Sequence, residues 1–508
     1  MKIEGGASIF QGVVWTYIGV IFQACLKIVS LGIVARLIAP HEFGLLSYAL
    51  LCTGVIERIG QLGVGSALVQ RQQLTHRTTY VARRLNLGLG CAVALGVFVC
   101  AGICARFFEQ PALHQILQVL SVGCLIEALT VVPDALLQRK MAFKKIVSAD
   151  NGSYFISMVI ICPFLAWKGM GVWALVISIL CMKIVRFGLL SMAAPPRGII
   201  GRWDRSRARE LLRVGLGFSI ARVLNCISLQ GDNFVVGKMF GADALGLYTR
   251  GYQLMTLPAA LLGQIYERVM FPAMSKLQCR SESLNRTFLV SIELMTLLAL
   301  PAGVILSLCS AEVIVLVFGR NWLGVAPIVS VLSYGVFFRA TYKCSDATIR
   351  ALGAVYRYAV RQGIYSATVL IAVITGAYLE GSIGVAWGVV IAVAVNYATL
   401  TWLAVKLLGT SPERLFQAHL PGIALFFWCW LGLAMYLPSV REDTVGDVDM
   451  IARCLLGALL IWLIGFIILS LANIGTIPRL VMLYVSRVVK VWRPVIVGFM
   501  GPIRNQWR

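Results

Sequence analysis

The sequence predicts an all-α, polytopic membrane protein of about fourteen transmembrane helices, arranged as two six-helix lobes followed by a helix pair. Three observations predict it: an extreme apolar composition, span-length apolar stretches along the whole chain, and basic residues confined to alternate connections. Of 508 residues, 59% are hydrophobic and only 13% are charged, and the mean hydropathy is +0.84. A soluble chain needs more polar residues than that to cover its surface, so most of this one must face lipid.

A hydrocarbon slab of about 30 Å takes roughly 20 apolar residues of helix. Stretches of that kind run over 9–35, 44–67, 85–105, 113–137, 147–167 and 171–193. A second set runs over 214–238, 246–272, 288–308, 325–342, 363–379 and 383–405, and a last pair over 420–437 and 451–474. The lobes are therefore predicted at 1–193 and 214–408, joined by a basic cytoplasmic linker at 194–213. The helix pair and a basic cytoplasmic tail occupy 409–508. Pro195 and Pro196 open the linker, and Arg205 to Arg213 reads as a short amphipathic helix on the inner membrane surface. The start, Met1 to Gly6, precedes a span too long for a signal-peptide core and is expected to be retained.

Assigning the connections alternately to two sides segregates the charge. One side collects Lys2, Arg71 to Arg84, Arg139 to Lys145, the arginines from Arg197 to Arg213, Lys276 to Arg286, Lys343 to Arg361, Lys406, Arg414 and the tail bases. By this assignment it holds about thirty of the 45 Lys and Arg residues. The other side has about six, Arg36, Arg106, Lys168, Lys238, Arg320 and Arg441, and an acidic last loop with Glu442, Asp443, Asp447 and Asp449. Positive charge stays inside, so both termini are predicted in the cytoplasm and the helix count is even. The net charge of +23 is thereby read as topology and not as a nucleic-acid surface.

The chain also repeats itself. Ala35 to Leu45 aligns with Gly237 to Leu247: a base at a helix end, a short polar turn, then Gly-Leu opening the next helix. An even number of predicted helices separates the copies, which implies parallel halves related by an axis along the membrane normal.

Enzyme chemistry finds no purchase. The fourteen cysteines are scattered, as at Cys25, Cys52, Cys91, Cys181 and Cys226, without CxxC spacing, so neither a metal nor a disulfide is expected. The four histidines, His41, His76, His114 and His419, lie at helix ends or in loops away from any Ser or Cys motif. Gly60 to Gly65 lacks the Lys-Ser/Thr ending of a phosphate loop. No catalytic residue, cofactor or metal is predicted.

Charges inside the spans carry the information, because they are costly in hydrocarbon unless they face a cavity or a partner. Lys27 lies nine residues before Arg36, roughly 13 Å down the first helix and too deep for easy snorkelling. Arg58, Arg222 and Arg339 are likewise displaced from the basic loops, and Arg250 and Arg268 flank the eighth helix, where snorkelling to the interface is an equal alternative. The acids Glu57, Glu127, Asp150, Asp232, Glu267 and Glu293 admit two readings that the sequence leaves open: interhelical ion pairs, or proton or sodium sites coupled to opening.

Several segments carry a family likeness. Ala35 to Gly44, Gly63 to Gln70, Gly231 to Lys238, Gly246 to Tyr252 and Phe318-Gly319-Arg320-Asn321-Trp322 resemble Wzx-type polysaccharide flippases of the multidrug/oligosaccharidyl-lipid/polysaccharide (MOP) exporter superfamily, particularly the colanic-acid type. The likeness weakens over the last two helices. It implies two lobes around a V-shaped cavity, alternating access, and an undecaprenyl-diphosphate-linked oligosaccharide repeat unit as cargo. Such transport serves exopolysaccharide, O-antigen or capsule assembly across the bacterial inner membrane. It also implies cationic cavity residues for the anionic head. Lys27, Arg58 and Arg250 are candidates, Arg250 alone standing within a matched motif, with Arg268, Arg222 and Arg339 behind them. Membrane lipids, a polymerase and glycosyltransferases of the same assembly route are the expected partners; nucleic acid is not. The rival readings are a drug or cation antiporter of the same superfamily, which would favour an acidic or neutral cavity, a membrane glycan polymerase or ligase, which would need a sizeable outer loop, and a scaffold without transport.

Overall fold

The structure, a computed structural model, describes residues 5–60, 64–70, 75–194, 204–276, 281–353, 355–441, 448–472 and 474–476. Among them every regular element is helical. The order is α1 (Gly5–Leu37), α2 (Pro40–Gly60), α3 (Val64–Gln70), α4 (His76–Phe107) and α5 (Ala112–Arg139). Next comes α6 (Phe143–Tyr154), which continues through a π-helical segment (Phe155–Ile161) into α7 (Cys162–Trp167), followed by α8 (Val172–Ala193) and α9 (Arg205–Lys276). Then come α10 (Ser281–Leu308), α11 (Ser310–Val317), a 3-10 turn (Arg320–Val325), α12 (Ala326–Ser333), α13 (Gly335–Ala351), α14 (Val355–Leu408), α15 (Pro412–Arg441) and α16 (Val448–Leu471).

Each predicted stretch overlaps a helix. Among the described residues eight helices are long and apolar enough to cross a membrane, and the bent pair Arg320–Ser333 and Gly335–Ala351 makes a ninth. The boundary predicted between 238 and 246 falls inside α9 at Gly241, whose φ of 83° favours glycine. The boundary predicted between 379 and 383 falls inside α14 at Glu380 and Gly381, the latter at φ 64°. Arg205 to Arg213 is helical as expected, yet it runs on into the next span without a break. Pro195 and Pro196 lie outside the described residues. Leu95, Val99 and Ile103 of α4 are 64%, 65% and 67% exposed, a face that only lipid would cover.

Backbone contacts group the chain into two compact units: Met1–Leu254 with Ile314–Ile328 and Gly363–Ala392, and Met255–Val313 with Val329–Gln362 and Val393–Arg508. The first predicted lobe, 1–193, lies wholly within the first unit, and residues 214–408 are shared between the two.

In the first unit the two repeated segments pack on each other. A Cβ built on Gly44 would collide with the Ala242 carbonyl oxygen, and one on Gly246 with that of Pro40. Ser47 Oγ meets Thr249 Oγ1 at 3.2 Å and His41 Nδ1 meets Asp243 Oδ2 at 3.4 Å, each pair 202 residues apart. Both glycine contacts obey the same offset, since Gly44 corresponds to Gly246 and Pro40 to Ala242. Tyr48, fully buried, donates its hydroxyl to the Gly237 carbonyl at 2.6 Å. Beside them Trp322 donates its indole N–H to the Ala35 carbonyl at 2.6 Å and sets its ring edge against Phe43, while Arg36 donates to the Leu316 carbonyl at 2.9 Å. The Phe318 to Trp322 motif thus anchors the end of α1. Lys238 closes the neighbouring edge, donating to the Phe107 carbonyl at 2.7 Å and to Glu109 at 3.2 Å.

Deeper in the same unit, two bases one turn apart on α8 gather the surrounding helices. Arg186 donates from Nε to Asp150 of α6 at 2.7 Å and from Nη2 to Asp134 of α5 at 3.2 Å, and its Nη1 lies 3.9 Å from Glu127 of α5. Lys183 donates to Glu57 of α2 at 2.7 Å.

In the second unit α10 packs on α13 and α15, and α15 on α16. Thr410 donates to Asn285 at 2.7 Å, and Ser345 meets Thr401 at 2.9 Å. His419 gives its Nδ1 proton to the Leu415 carbonyl at 2.7 Å, which leaves Nε2 to accept from the Tyr397 hydroxyl at 2.5 Å. A cavity of about 810 Å³ opens between α10 and α15, bordered by Arg286, Glu293 and Arg414.

Two substitutions check this packing. Gly44→Leu forces the repeated segments apart and is expected to destabilise the protein by about 1–3 kcal/mol. Gly96→Ala, at a site with nothing within 4 Å, should be neutral or stabilising by roughly 0.5–1 kcal/mol; thermal unfolding in detergent compares the two. Arg186→Ala leaves its carboxylates facing one another and should cost about 1–3 kcal/mol, the partial exposure of the pairs holding the figure below that for a fully buried ion pair. Truncation of lipid-facing Ile184 on the same helix is the control.

Candidate functional site

The first unit encloses a cavity of about 370 Å³ between α1, α2, the α6–α7 helix with its π-helical turn, α8 and α9. Its walls are mainly apolar, with Leu31, Val34, Leu46, Met158 and Ile179 among them. The polar groups are few: Ser30, Thr53, Tyr154, Gln253 and the charged residues Arg250, Lys183 and Glu57. A mostly apolar concavity with a few placed polar groups is the usual form of a ligand site. The π-helical turn (Phe155–Ile161) contributes Met158, and Tyr154 just before it shares a 2.7 Å hydrogen bond with Ser30. Such turns displace side chains out of regular helical register.

Arg250 is the charge that stands out. Its Nη1 donates to Gln253 at 2.5 Å, and the guanidinium carbon lies 4.5 Å above the centre of the Phe43 ring. Its Nε is buried without a hydrogen-bond partner, and among the described residues no carboxylate forms an ion pair with it. A neutral amide and an aromatic face hold the side chain in place without neutralising it. A cation kept in this way inside an apolar cavity favours an anionic ligand, because an arriving anion meets a charge whose desolvation has already been offset by the fold. Lys183, by contrast, is engaged by Glu57 and also reaches the Gly123 carbonyl at 3.4 Å.

The other predicted bases divide. Lys27 is half-buried on α1, one turn before Ser30 and Leu31 of the cavity wall, and among the described residues no ion pair engages its ammonium. Arg339 is half-buried on α13 in the second unit. The side chains of Arg58, Arg222 and Arg268, and that of Glu267, lie outside the described residues.

Of the predicted acids, Glu57, Glu127 and Asp150 form the interhelical ion pairs of α8. Asp232 is buried, accepting from the Tyr248 hydroxyl at 3.1 Å and from the Asn233 amide at 2.8 Å. Glu293 is buried on α10 and borders the cavity of the second unit. Sequence reasoning missed Lys183, Arg186 and Asp134. The signal was present: two bases three residues apart inside the 171–193 span share one helix face and demand partners there.

Comparison with known proteins agrees with this architecture. The chain is 24% identical over 426 residues to the lipopolysaccharide biosynthesis protein WzxC of Escherichia coli (strain K12), covering 79% of this chain and 82% of that protein. It is 25% identical over 423 residues to the teichuronic acid biosynthesis protein TuaB of Bacillus subtilis (strain 168), covering 81% and 85%. It is also 25% identical over 333 residues to the succinoglycan biosynthesis transport protein ExoT of Rhizobium meliloti (strain 1021), covering 64% and 66%. Among solved structures, the lipid II flippase MurJ in an inward closed conformation superposes with a TM-score of 0.72 at 15% identity, covering 91% of this chain and 100% of that one. An inward-facing multidrug resistance MATE family transporter of the MOP superfamily follows at 0.62 and 15%, covering 76% and 94%. These likenesses and the run of apolar helices make the chain a multi-pass membrane protein with the fold of these transporters. The family model described as polysaccharide biosynthesis protein matches residues 33–327, more than half of the chain and the stretch that holds Arg36, Arg250 and Trp322; this chain belongs to that Wzx-like polysaccharide biosynthesis family of the MOP superfamily.

Proposed function

We propose that this chain is a flippase that moves undecaprenyl-diphosphate-linked oligosaccharide repeat units from the cytoplasmic to the periplasmic leaflet by alternating access, for exopolysaccharide, O-antigen or capsule assembly. It works as a transporter and not as an enzyme, in the bacterial inner membrane with both termini in the cytoplasm. The observation that carries the reading is Arg250, a cavity-lining arginine held by Gln253 and Phe43 with no carboxylate beside it among the described residues. A diphosphate is the ligand chemistry that a guanidinium serves best.

A hydroxyl-rich head cannot cross hydrocarbon unaided, since each unsatisfied polar group costs several kcal/mol. A polar, cationic passage that leaves the lipid tail outside removes most of that barrier. An inside-negative potential then favours outward movement of the diphosphate by about 2.3 kcal/mol per charge per 100 mV. Relatives named for lipopolysaccharide, teichuronic acid and succinoglycan biosynthesis support a glycan as the polar part.

In this reading fourteen helices form two six-helix lobes, 1–193 and 214–408, related by a pseudo-two-fold axis along the membrane normal, with the helix pair outside them. The paired contacts at a constant offset of 202 residues support that axis. By the predicted topology these contacts lie at the periplasmic end, and alternating access requires them to part. Lys27, Arg58, Arg222, Arg268 and Arg339 extend the cationic path, and Glu57, Glu127, Asp150, Asp232 and Glu293 are its candidate ion-coupling acids. The basic cytoplasmic face meets anionic lipid and the glycosyltransferases and polymerase of the route. A drug or cation antiporter is the weaker reading, because the cavity acid, Glu57, is occupied by Lys183 whereas the cavity arginine has no such partner.

Liposomes containing the protein and a fluorescent undecaprenyl-diphosphate oligosaccharide test this directly. Wild type should move the lipid across the bilayer. Arg250→Ala should slow movement by about tenfold to a hundredfold, the worth of one charge-assisted contact, with Arg250→Lys intermediate. Unimpaired movement in Arg250→Ala, or drug efflux in place of lipid movement, would sink the reading. Lys27→Ala, one turn off the cavity wall, should lower the rate by less than about threefold, as expected of a screened charge.

A further inference from the structure

Beside the large cavity lies a second, much smaller one of about 10 Å³, room for a single water-sized particle. Its polar lining is Glu57 of α2, Asn86 of α4, and Cys124 and Glu127 of α5. Asn86 is only 2% exposed, and its amide nitrogen has no hydrogen-bond partner. A buried carboxamide left unsatisfied costs about 1–3 kcal/mol unless something in the pocket engages it. Either end of that carboxamide can face the pocket after a flip of the side chain.

The charges around the pocket do not balance. Glu57, Glu127, Asp134 and Asp150 are four carboxylates in one connected cluster, and Lys183 and Arg186 are its two bases. Two negative charges remain. Arg186 is committed to Asp150 and Asp134 at 2.7 and 3.2 Å and stands 3.9 Å from Glu127. The least compensated acid therefore borders the pocket that Asn86 also borders. Two carboxylates and one amide suit a monovalent charge; a divalent ion takes more oxygen ligands than this. Among the described residues no group of three or more His, Cys, Asp or Glu is arranged to hold a metal.

Glu57 also belongs to the wall of the 370 Å³ cavity, as does its partner Lys183. We propose that Glu57, Glu127 and Asn86 form a site for one monovalent cation, sodium or a proton, and that its occupation releases Lys183 from Glu57 to join Arg250 on the anionic ligand of the large cavity. The ammonium and the added cation compete for one carboxylate. Filling the pocket frees Lys183, and drawing Lys183 toward an anion opens Glu57 to a cation. The two ligands consequently raise each other's affinity, and by linkage they do so by the same factor. The groups facing Glu57 are Lys183 from α8, Cys124 and Glu127 from α5 and Asn86 from α4, with Arg186 behind Glu127. This rests on the cavity's being an anion site, as proposed above.

The test uses the purified full chain with inorganic pyrophosphate as the probe, at constant ionic strength. Its affinity is measured with sodium against choline at pH 8, and at pH 6 against pH 8 in choline. Wild type should bind pyrophosphate about tenfold more tightly with the coupling cation, the worth of one released charge at about 1.4 kcal/mol. A response to sodium identifies that ion, and a response to acid alone identifies the proton. Glu127→Gln and Asn86→Ala should each reduce the response below twofold. Glu57→Gln should bind tightly without any cation, and Lys183→Met weakly with or without it. Circular dichroism and gel filtration establish that each variant is folded. An undiminished response in folded Glu127→Gln overturns the proposal. If pyrophosphate fails to bind at all, the anion reading falls, and direct radioactive-sodium binding and proton uptake by wild type and Glu127→Gln then decide the cation site alone: uptake lost in the variant upholds it, and uptake equal in both overturns it.

Discussion

Lys183 and Arg186 hold the first unit together, because a charged side chain inside a hydrocarbon slab must find compensation within the protein. Neither base can reach water from the middle of α8 without leaving its helix, so the surrounding helices supply carboxylates: α2 through Glu57, α5 through Glu127 and Asp134, α6 through Asp150. Coulombic attraction of this kind returns little net stability once desolvation is counted, but it penalises every arrangement that separates the partners. It therefore specifies which helix faces meet. The 370 Å³ cavity is bounded by the same α2 and α8, and its charge balance follows from how those pairs are spent.

Arg250 works in the opposite sense. An amide and an aromatic ring hold it in position but do not neutralise it. The fold has met the desolvation cost of that guanidinium in advance, which is what preorganisation for an anion requires. The neighbouring α1–α2 and α9 turns come close enough to close one end of the unit because Gly44 and Gly246 lack side chains where the opposite carbonyls pass. Their pairing at a constant sequence offset is what the packing of two copies of one ancestral segment about a two-fold axis would produce, since any contact on such an axis joins a residue to its own counterpart.

Much of the fold was legible in the sequence for a simple reason: in lipid, backbone groups must be satisfied within each helix, so length, hydropathy and turn residues speak almost without interference from tertiary context. The breaks at Gly241 and at Glu380–Gly381 fall where the apolar runs stop, and the Ala35 to Leu45 repeat of Gly237 to Leu247 was visible before any contact was known. Arg250 stood out through its motif. What could not be read was the destination of each buried charge. Glu57, Glu127 and Asp150 were singled out, but their partners, together with Asp134, come from helices distant in sequence. An isolated Lys or Arg in an apolar run looks the same whether it faces a cavity, a carboxylate or a headgroup.

The sequence by itself determined that this chain spans a membrane many times, where its helices begin and break, and which segments repeat; hydrophobic transfer energy and backbone hydrogen bonding are local and follow composition and spacing. Only the tertiary structure decided that Lys183 is held by Glu57 while Arg250 has no carboxylate partner among the described residues, and that Asn86 and Glu127 share a pocket with Glu57. Those facts depend on electrostatic interactions that weaken with distance and change sign with the partner, and the distance between two helices is not written in either one.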